Sequence, residues 1–328
     1  MLDIWLPLIG GLVLLMAGGE LLVRGAVRVA SALGVSPLVI GLTLVGFGTS
    51  TPELVTSVQA ALSGAPGIAY GNIVGSNIAN ILLIVGIAAL MTPIAIASSA
   101  LKRDGLLMLA VAVVFAALTS VTPLGRLAGA VFVAALAAYI YFAFRQERAA
   151  APAGHGAAYE KGLALQEFDE SLAPVSNPRG QIAISLLIAL GGLVLVIAGG
   201  YLLVDGAVSL ARDLGISETV IGLTIVAVGT SMPELVTSVA AGLKKQGDVA
   251  FGNIVGSNIY NILGIGGFTA LVAPGAVPGD IVTFDNIVMV GVSVLLVAFA
   301  WTGLRIARWE GAVLLGGYAV YIFSLWPS

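Results

Sequence analysis

Long apolar stretches separated by short polar or charged breaks run along almost the whole chain. A helix needs about 20 mostly apolar residues to cross a bilayer, and each stretch here is bounded by charge, proline or a polar turn. Ten stretches can be drawn, at roughly 4–24, 36–62, 68–92, 105–121, 126–144, 181–204, 217–243, 249–273, 286–303 and 311–326. The pattern predicts an all-α membrane protein with ten transmembrane helices.

One long polar segment, residues 145–180, interrupts this pattern. It carries charged side chains and the single histidine, His155, among alanines and three prolines, a composition typical of a linker. One short helix is expected near Glu160–Glu170, and we assign the segment no chemistry. The chain is thereby divided into a first five-helix repeat (1–144), the linker (145–180) and a second five-helix repeat (181–328).

The two halves repeat each other in sequence. Residues 18–86 align without a gap onto residues 199–267 at an offset of 181, with 44 of 69 positions identical. Five spans is an odd number, so the second repeat must enter the membrane from the opposite side to the first. Inverted repeats of this kind are typical of secondary transporters with a site near the bilayer midplane.

The distribution of basic residues sets the expected orientation. With the N-terminus outside, 12 of the 14 Lys and Arg residues fall on cytoplasmic segments, and only Arg126 and Arg212 fall outside. We therefore expect a multi-pass protein of the cell (inner or plasma) membrane with both termini extracytoplasmic and the linker cytoplasmic. The N-terminus lacks a basic n-region and a cleavage site, so the first span is expected to be retained.

Composition supports the membrane assignment and excludes several function classes. Apolar residues make up 59% of the chain and charged residues 9%, against about 25% charged in a soluble domain. There is no cysteine, which excludes disulfides, thiolate metal sites and cysteine nucleophiles. With one histidine, in the linker, histidine-based catalysis is not expected.

Each repeat contains the same pair of polar segments inside its apolar stretches. The first has Gly-Thr-Ser-Thr-Pro-Glu at 48–53 and Gly-Asn-Ile-Val-Gly-Ser-Asn-Ile-Ala-Asn at 71–80; the second has Gly-Thr-Ser-Met-Pro-Glu at 229–234 and Gly-Asn-Ile-Val-Gly-Ser-Asn-Ile-Tyr-Asn at 252–261. Glu53 and Glu234 fall about midway along their spans, where an ionisable group costs at least a few kcal/mol and marks a functional site. Pro52 and Pro233 each disrupt a helix and free a backbone carbonyl one turn earlier.

No Lys or Arg lies midway along a span to neutralise the two glutamates, so a mobile cation or a proton is the expected counter-charge. Helical spacing places two hydroxyls on the helix face of each glutamate and aligns a serine with two asparagines as a second polar stripe. These are Thr49, Ser50, Asn72, Ser76 and Asn80 in the first repeat, and Thr230, Ser231, Asn253, Ser257 and Asn261 in the second. A set made only of oxygens favours hard cations such as Ca²⁺ and Na⁺. Competition of the two ions for one pair of carboxylates would give exchange.

Several neighbouring residues have simpler interpretations. Gly71, Gly75, Gly252 and Gly256 fit the small-residue packing of membrane helices. Asn77 and Asn258 lie off the polar face and are expected to make interhelical hydrogen bonds. Glu20 is expected to pair with Arg24 four residues later and to be structural. A second interpretation of Glu53 and Glu234 themselves is a pair of protonated carboxyls that join helices by hydrogen bonding.

The duplicated GTS-x-PE and GN-x-x-GSN-x-x-N motifs resemble the two alpha repeats of the calcium/cation antiporter superfamily, and most closely its prokaryotic sodium/calcium exchanger family. The resemblance covers nearly the whole chain outside 145–180. It implies ten helices, with the long first and sixth spans sliding over an eight-helix core, and ion sites formed by the second, third, seventh and eighth spans. It also implies electrogenic exchange of extracellular Na⁺ for internal Ca²⁺.

The resemblance further implies a ligand set for these ions. Glu53 and Glu234 would bind Ca²⁺, and the flanking Na⁺ sites would share Thr49, Ser50, Ser76, Thr230, Ser231 and Ser257. The backbone carbonyls of Gly46 and Ala227 would join them, and Asn80 and Asn261 would complete the ring. Some relatives, including K⁺-dependent ones, have an acid at the position of Asn261; asparagine here argues against K⁺ co-transport.

The expected function is thus Na⁺/Ca²⁺ antiport by alternating access, with an H⁺/Ca²⁺ antiporter using the same two glutamates as the alternative. A passive channel is disfavoured because pores are usually built from a ring of equivalent subunits. An intramembrane hydrolase lacks a base to activate Ser50 or Ser231. The expected partners are Ca²⁺, Na⁺ and the lipid bilayer, with no enzymatic activity, cofactor, nucleic acid or obligatory protein partner.

Overall fold

The computed structural model describes residues 2–35, 37–40, 43–44, 46–149, 157, 159–162 and 182–326. Most of these are helical, and we number the helices in chain order with their π-helical segments included. They are α1 (Leu2–Ala32), α2 (Thr51–Leu62), α3 (Pro66–Met91), α4 (Leu101–Val121), α5 (Arg126–Ala149), α6 (Ile182–Leu214), α7 (Glu218–Thr230), α8 (Met232–Leu243), α9 (Gly247–Val272), α10 (Ile281–Trp301) and α11 (Arg308–Leu325). Shorter helical pieces, Pro37–Ile40 and Gly46–Gly48, precede α2, and Ser98–Ala100 precedes α4.

Within the described residues, seven helices are long and apolar enough to cross a membrane, namely α1, α3, α4, α5, α6, α9 and α10, and the bent pair α7 and α8 makes an eighth if the two count as one span. Large apolar side chains cover the outside, for example Leu6 at 69% exposure, Leu127 at 80% and Phe323 at 82%. An apolar exterior of this kind suits lipid and not water. The result is an all-α membrane fold.

Two of the ten predicted spans do not reach this length and apolarity. The stretch at 36–62 contains α2 and shorter helical pieces within its described residues, and α11, at 311–326, is an 18-residue helix with charged residues in its first turn. The described residues of both stretches are helical apart from the turn at Thr49 and Ser50 and the bend at Trp326.

The longest helices, α1 and α6, pack against each other in antiparallel directions. Gly11 of α1 lies against Leu203 of α6, Gly18 against Val196 and Gly25 against Ala189, backbone to backbone. The three glycines recur every seven residues, so one face of α1 carries no side chain at these contacts. At about 1.5 Å per residue, helices of 31 and 33 residues exceed the bilayer core of about 30 Å and must tilt to fit.

Helices α3 and α9 form the centre of the molecule, with nearly every residue buried. Each carries a π-helical segment, Asn80–Val85 in α3 and Tyr260–Gly266 in α9, and α3 and α9 contact each other there. π-Segments inside helices often accompany functional sites. The other helices surround this pair.

Two short β contacts join segments that connect helices. β1 (Ile94–Ala95) pairs antiparallel with β2 (Arg305–Ile306), and Leu124 forms a bridge with Gly275. The repeat offset of 181 relates position 94 to 275 and position 125 to 306, so the two contacts correspond to each other within one residue. The internal repetition therefore extends from the motifs to the connections.

Candidate functional site

Glu53 and Glu234 each lie at the start of a helix that follows a break. Ser50 precedes α2 and Ser231 separates α7 from α8, which are bent by 48°. Pro52 and Pro233 occupy the first turns of α2 and α8, where a missing N–H costs nothing. Both breaks lie where the prolines predicted them. The breaks bring each glutamate into the centre of the protein, where it is 1% exposed.

The two repeats exchange hydrogen bonds through these residues. Ser231 Oγ donates to Glu53 Oε1 at 3.1 Å, and Ser50 Oγ donates to Glu234 Oε1 at 3.3 Å. Ser257 Oγ also donates to Glu234 Oε1 at 3.3 Å. Both carboxylates therefore belong to one site shared by the two repeats.

The predicted ligands divide into two half-sites related by the repeat offset. The first half-site consists of Thr49, Ser50, Glu234 and Ser257; the second consists of Thr230, Ser231, Glu53 and Ser76. All eight residues are at most 3% exposed. Each half-site combines the hydroxyls of a helix break in one repeat with the glutamate of the other repeat.

The remaining predicted ligands are also buried near the site. The carbonyl of Ala227 accepts from Thr230 Oγ1 at 3.4 Å and from Ser76 Oγ at 3.5 Å, while Gly46 is buried in the short helix before the break. Asn80 Nδ2 donates to Asn258 Oδ1 at 2.9 Å, and Asn261 is 1% exposed. The structure thus buries all of the predicted ligands, and their role as ion ligands stays a prediction.

Several buried oxygens at the site accept no hydrogen bond from the described residues. They are Glu53 Oε2, Glu234 Oε2, Asn80 Oδ1 and Asn261 Oδ1. A buried acceptor without a donor costs about 1–3 kcal/mol, more for a charged group. A hard cation is a suitable partner for carboxylate and amide oxygens, and all four atoms come from residues predicted as ligands.

Two asparagines form hydrogen bonds to the helices that carry Glu53 and Glu234. Asn72 Nδ2 donates to the Glu53 carbonyl at 3.1 Å and to Ser57 Oγ at 2.9 Å. Asn253 Nδ2 donates to the Glu234 carbonyl at 3.4 Å and to Ser238 Oγ at 2.8 Å. The polar stripe predicted from the sequence therefore includes residues that position the carboxylate-bearing helices.

Asn258 and Glu20 make the contacts expected of them, whereas the expectation for the Asn77 side chain is wrong, because Asn77 Nδ2 donates to the Ile73 carbonyl of its own helix at 2.7 Å. Asn258 Nδ2 donates to the Asn77 carbonyl of α3 at 3.4 Å, an interhelical bond. Arg24 pairs with Glu20 one turn before it, outside the site.

A residue of the linker enters the site and corrects two expectations. Lys161, with 0% exposure, donates from Nζ to Thr49 Oγ1 and Ser257 Oγ, and lies 3.3 Å from Ser50 Oγ and 3.4 Å from Glu234 Oε1. The glutamates therefore have a basic counterpart after all. It comes from the linker and not from the spans. The linker also takes part in the chemistry of the site, against the expectation.

Helix α5 extends into the predicted linker as far as Ala149, and the later described linker residues, 157 and 159–162, are helical and lie against α9. A Cβ at Gly256 would lie 3.2 Å from the Ala157 carbonyl oxygen and 3.2 Å from Lys161 Cβ, and one at Gly252 would collide with Glu160. Asp104 of α4, 1% exposed, accepts a hydrogen bond from the Ala157 N–H at 2.8 Å. The rest of the predicted linker helix, and His155, lie outside the described residues.

The matching surface of the first repeat has a different occupant. A Cβ at Gly71 would lie 3.0 Å from Gly222 of α7, and one at Gly75 would lie 2.6 Å from the Leu223 carbonyl oxygen. These glycines correspond to Gly252 and Gly256 of α9. One side of the site is therefore closed by the first half of α7, and at the equivalent place on the other side lie the linker residues.

Comparison with known families identifies the resemblance over both halves of the chain. A family model described as sodium/calcium exchanger protein matches residues 4–145 and 184–326. The putative antiporter CaxA of Alkalimonas amylolytica is 38% identical over 321 residues, which cover 97% of each chain. The sodium/calcium exchanger MaX1 of Methanosarcina acetivorans is 37% identical over 346 aligned residues, which cover 98% of each chain.

Solved structures agree with this assignment. The sodium-calcium exchanger NCX_Mj, soaked with 100 mM Na⁺ and 10 mM Sr²⁺, is 33% identical, with a TM-score of 0.63 over 98% of each chain. The same protein soaked with 10 mM Na⁺ and no Ca²⁺ gives a TM-score of 0.61 at 31% identity. The family resemblance predicted from the two motifs is thus confirmed.

Proposed function

Since the chain belongs to the sodium/calcium exchanger family and is a transporter and not an enzyme, we propose that it exchanges Na⁺ for Ca²⁺ by alternating access. The ions bind at the central site between the two repeats. The ligands are those of the two half-sites, together with Asn80, Asn261 and the carbonyls of Gly46 and Ala227.

The observation that carries the proposal is the pair of buried glutamates with unused oxygens. Glu53 and Glu234 come from different repeats, are each 1% exposed, and are linked by reciprocal bonds from Ser231 and Ser50. Two carboxylates match the charge of one Ca²⁺ or offset part of the charge of several Na⁺ ions. Ions that compete for the same ligands are exchanged when only a loaded site can reorient.

We include in the proposal ten membrane-crossing segments arranged as two inverted repeats, 1–144 and 181–328, joined by the linker 145–180. The antiparallel packing of α1 on α6 supports this arrangement, because these helices open the two repeats. The corresponding β contacts, Ile94 with Ile306 and Leu124 with Gly275, support it as well. The distribution of Lys and Arg supports a cytoplasmic linker and extracytoplasmic termini in the cell membrane.

The test is Ca²⁺ uptake by proteoliposomes that contain the purified full-length chain. Vesicles loaded with Na⁺ and diluted into Na⁺-free medium are expected to take up Ca²⁺, and vesicles loaded with K⁺ or choline are not. Since several Na⁺ would be exchanged for each Ca²⁺, a membrane potential is expected to change the rate. Uptake that ignores Na⁺ and follows an imposed pH gradient would overturn the proposal and indicate H⁺/Ca²⁺ exchange.

A further inference from the structure

The ammonium of Lys161 lies where a transported cation would bind. Its hydrogen-bond and ion-pair partners in the described chain are Thr49, Ser50, Glu234 and Ser257, which together are the first half-site. An ammonium group offers three donors and one positive charge to oxygens that would otherwise coordinate a cation. Lys161 thus contacts all four residues of one half-site, although Glu234 Oε2 has no donor among the described residues, and the other half-site relies on its own hydrogen bonds.

The second half-site shows what the equivalent residues do without a lysine. Ser231 Oγ donates to Glu53 Oε1 at 3.1 Å, Thr230 Oγ1 donates to Asn72 Oδ1 at 3.0 Å, and Ser76 Oγ lies 3.5 Å from the Ala227 carbonyl oxygen. These hydroxyls find partners within the helices. The ammonium is therefore not needed to satisfy ligands of this kind.

The surface that receives the lysine differs from its counterpart in the other repeat. Lys161 Nζ lies 5.8 Å from the ring centroid of Tyr260, within the range of a cation–π contact. The equivalent position of the first repeat is Ala79, in an alignment where the adjoining motif residues are identical. An aromatic ring is thus present on the side where the lysine enters.

Two further contacts hold the linker in place. The buried carboxylate of Asp104 accepts from the Ala157 N–H, and the glycine faces at Gly252 and Gly256 admit the linker backbone and the stems of Glu160 and Lys161. Because glycine has no side chain, the linker approaches α9 as closely as α7 approaches α3 on the opposite side. The lysine is therefore positioned from its backbone, its stem and its charged end.

We propose that Lys161 is an affinity-determining residue of the exchanger, whose tethered ammonium occupies the first half-site and must be displaced by a cation that enters from the linker side. This inference rests on the proposed function, since it takes the half-sites to be ion sites. A ligand whose competent state is only fractionally populated binds with an affinity reduced by that fraction. If the lysine holds the site in about nine of ten molecules, it lowers the apparent Ca²⁺ affinity about tenfold.

The first experiment compares Ca²⁺ binding to the purified full-length chain and to Lys161→Met, which keeps the length of the side chain and removes its charge. Isothermal titration is expected to show about tenfold tighter Ca²⁺ binding in Lys161→Met. The matched control is Lys245→Met, an exposed lysine in the turn after α8, with unchanged affinity expected. Equal affinities of Lys161→Met and the unaltered chain would overturn the inference.

The second experiment leaves the lysine in place, so that it does not depend on the folding of a charge variant. The chain contains no cysteine, and Ala157 is fully buried against α9, so Ala157→Cys introduces one buried thiol without changing the charge. A membrane-impermeant maleimide is expected to label it slowly without Ca²⁺ and several-fold faster with saturating Ca²⁺. A labelling rate independent of Ca²⁺, in protein that binds Ca²⁺, would overturn the inference.

The two proposals fail in distinguishable ways. Absence of Na⁺-driven Ca²⁺ uptake in both the unaltered chain and Lys161→Met would overturn the proposed function, and the inference with it. Normal Na⁺/Ca²⁺ exchange, with Ca²⁺ affinity and thiol labelling unaffected by Lys161, would overturn only the role of the lysine.

Discussion

At the scale of residues, the site depends on two acidic side chains, one from each repeat. Each of them is hydrogen-bonded by the other repeat. Glu53 and Glu234 accept from serines across the repeat boundary, and each keeps one carboxylate oxygen without a donor among the described residues. In a low-dielectric interior such oxygens interact strongly with a cation. The negative charge of both residues is therefore expected to be essential.

We expect Glu53→Gln and Glu234→Gln each to abolish Ca²⁺ exchange while the protein stays folded. The amide keeps the shape of the side chain but removes the charge, and we expect Ca²⁺ affinity to fall by at least about a hundredfold, or about 2.7 kcal/mol. Exchange in proteoliposomes and size-exclusion elution measure the two properties. Glu20→Gln is the matched control, since its side chain is half exposed beside Arg24; near-normal exchange in either site variant would contradict the assignment.

The glutamates could be predicted from the sequence because they interrupt apolar stretches and occur twice with the same neighbours. Lys161 could not, because it is distant in sequence from its partners and belongs to a segment whose composition is typical of a linker. The available signal is local: residues 157–165 read Ala-Ala-Tyr-Glu-Lys-Gly-Leu-Ala-Leu, a mostly small and apolar stretch around one basic residue. Periodicity alone cannot tell which surface such a stretch contacts.

At the scale of elements, the crossing of α1 and α6 is held by glycines that allow the two backbones to touch. A Cβ at Gly18 would lie 2.7 Å from the backbone nitrogen of Val196, whereas one at Gly10 would meet nothing within 4 Å. Backbone atoms cannot yield as the end of a flexible side chain can. Substitution effects are therefore expected to depend on which face of α1 is altered.

We expect Gly18→Ala to destabilise the protein by about 1–3 kcal/mol, the usual cost of overpacking, and to slow exchange. Gly10→Ala, on the same helix, is expected to leave both properties unchanged or to stabilise slightly, because alanine favours helix more than glycine does. Thermal unfolding in detergent measures the difference. Equal melting temperatures of the two variants would show that the close crossing is not maintained.

The elements were predictable to different degrees. Pro52 and Pro233 predicted the breaks before the glutamates because proline has no N–H with which to continue a preceding helix but fits the first turn of a new one. The π-helical segments at Asn80–Val85 and Tyr260–Gly266 were not predicted, since one extra residue in a turn arises from packing and leaves no local pattern. Span lengths were also approximate, as charged residues at the start of α11 illustrate.

At the scale of the whole molecule, two repeats with nearly the same sequence adopt different arrangements on the two sides of the site. On one side α7 lies against Gly71 and Gly75 of α3; on the other, linker residues lie against Gly252 and Gly256 of α9. An alternating-access carrier needs two different packings of similar sequence. When the two repeats swap these packings, the site opens to the other side of the membrane. The sequence predicted the repetition, but identical motifs cannot indicate which repeat is closed.

We expect that fixing α7 to α3 stops exchange. A Cβ at Gly67 would lie 3.1 Å from Glu218 Cβ, so the two positions need to separate by only a few tenths of an ångström to reach the about 3.5–4.5 Å of a disulfide, and no native cysteine interferes. Oxidised Gly67→Cys/Glu218→Cys is expected to lose exchange and to regain it on reduction, with each single variant as control. Undiminished exchange in fully oxidised protein would show that α7 and α3 do not separate during transport.

The two half-sites are related by the sequence repeat, but Lys161 occupies the first of them alone. A tethered ammonium is not consumed in the cycle, so it cannot alter the ion gradients at which net flow ceases. It lowers the apparent affinity for cations that arrive from its own compartment, and so slows their entry into the site. Such a molecule behaves as a kinetic rectifier, slower in one direction than in the other although both directions use the same ligands.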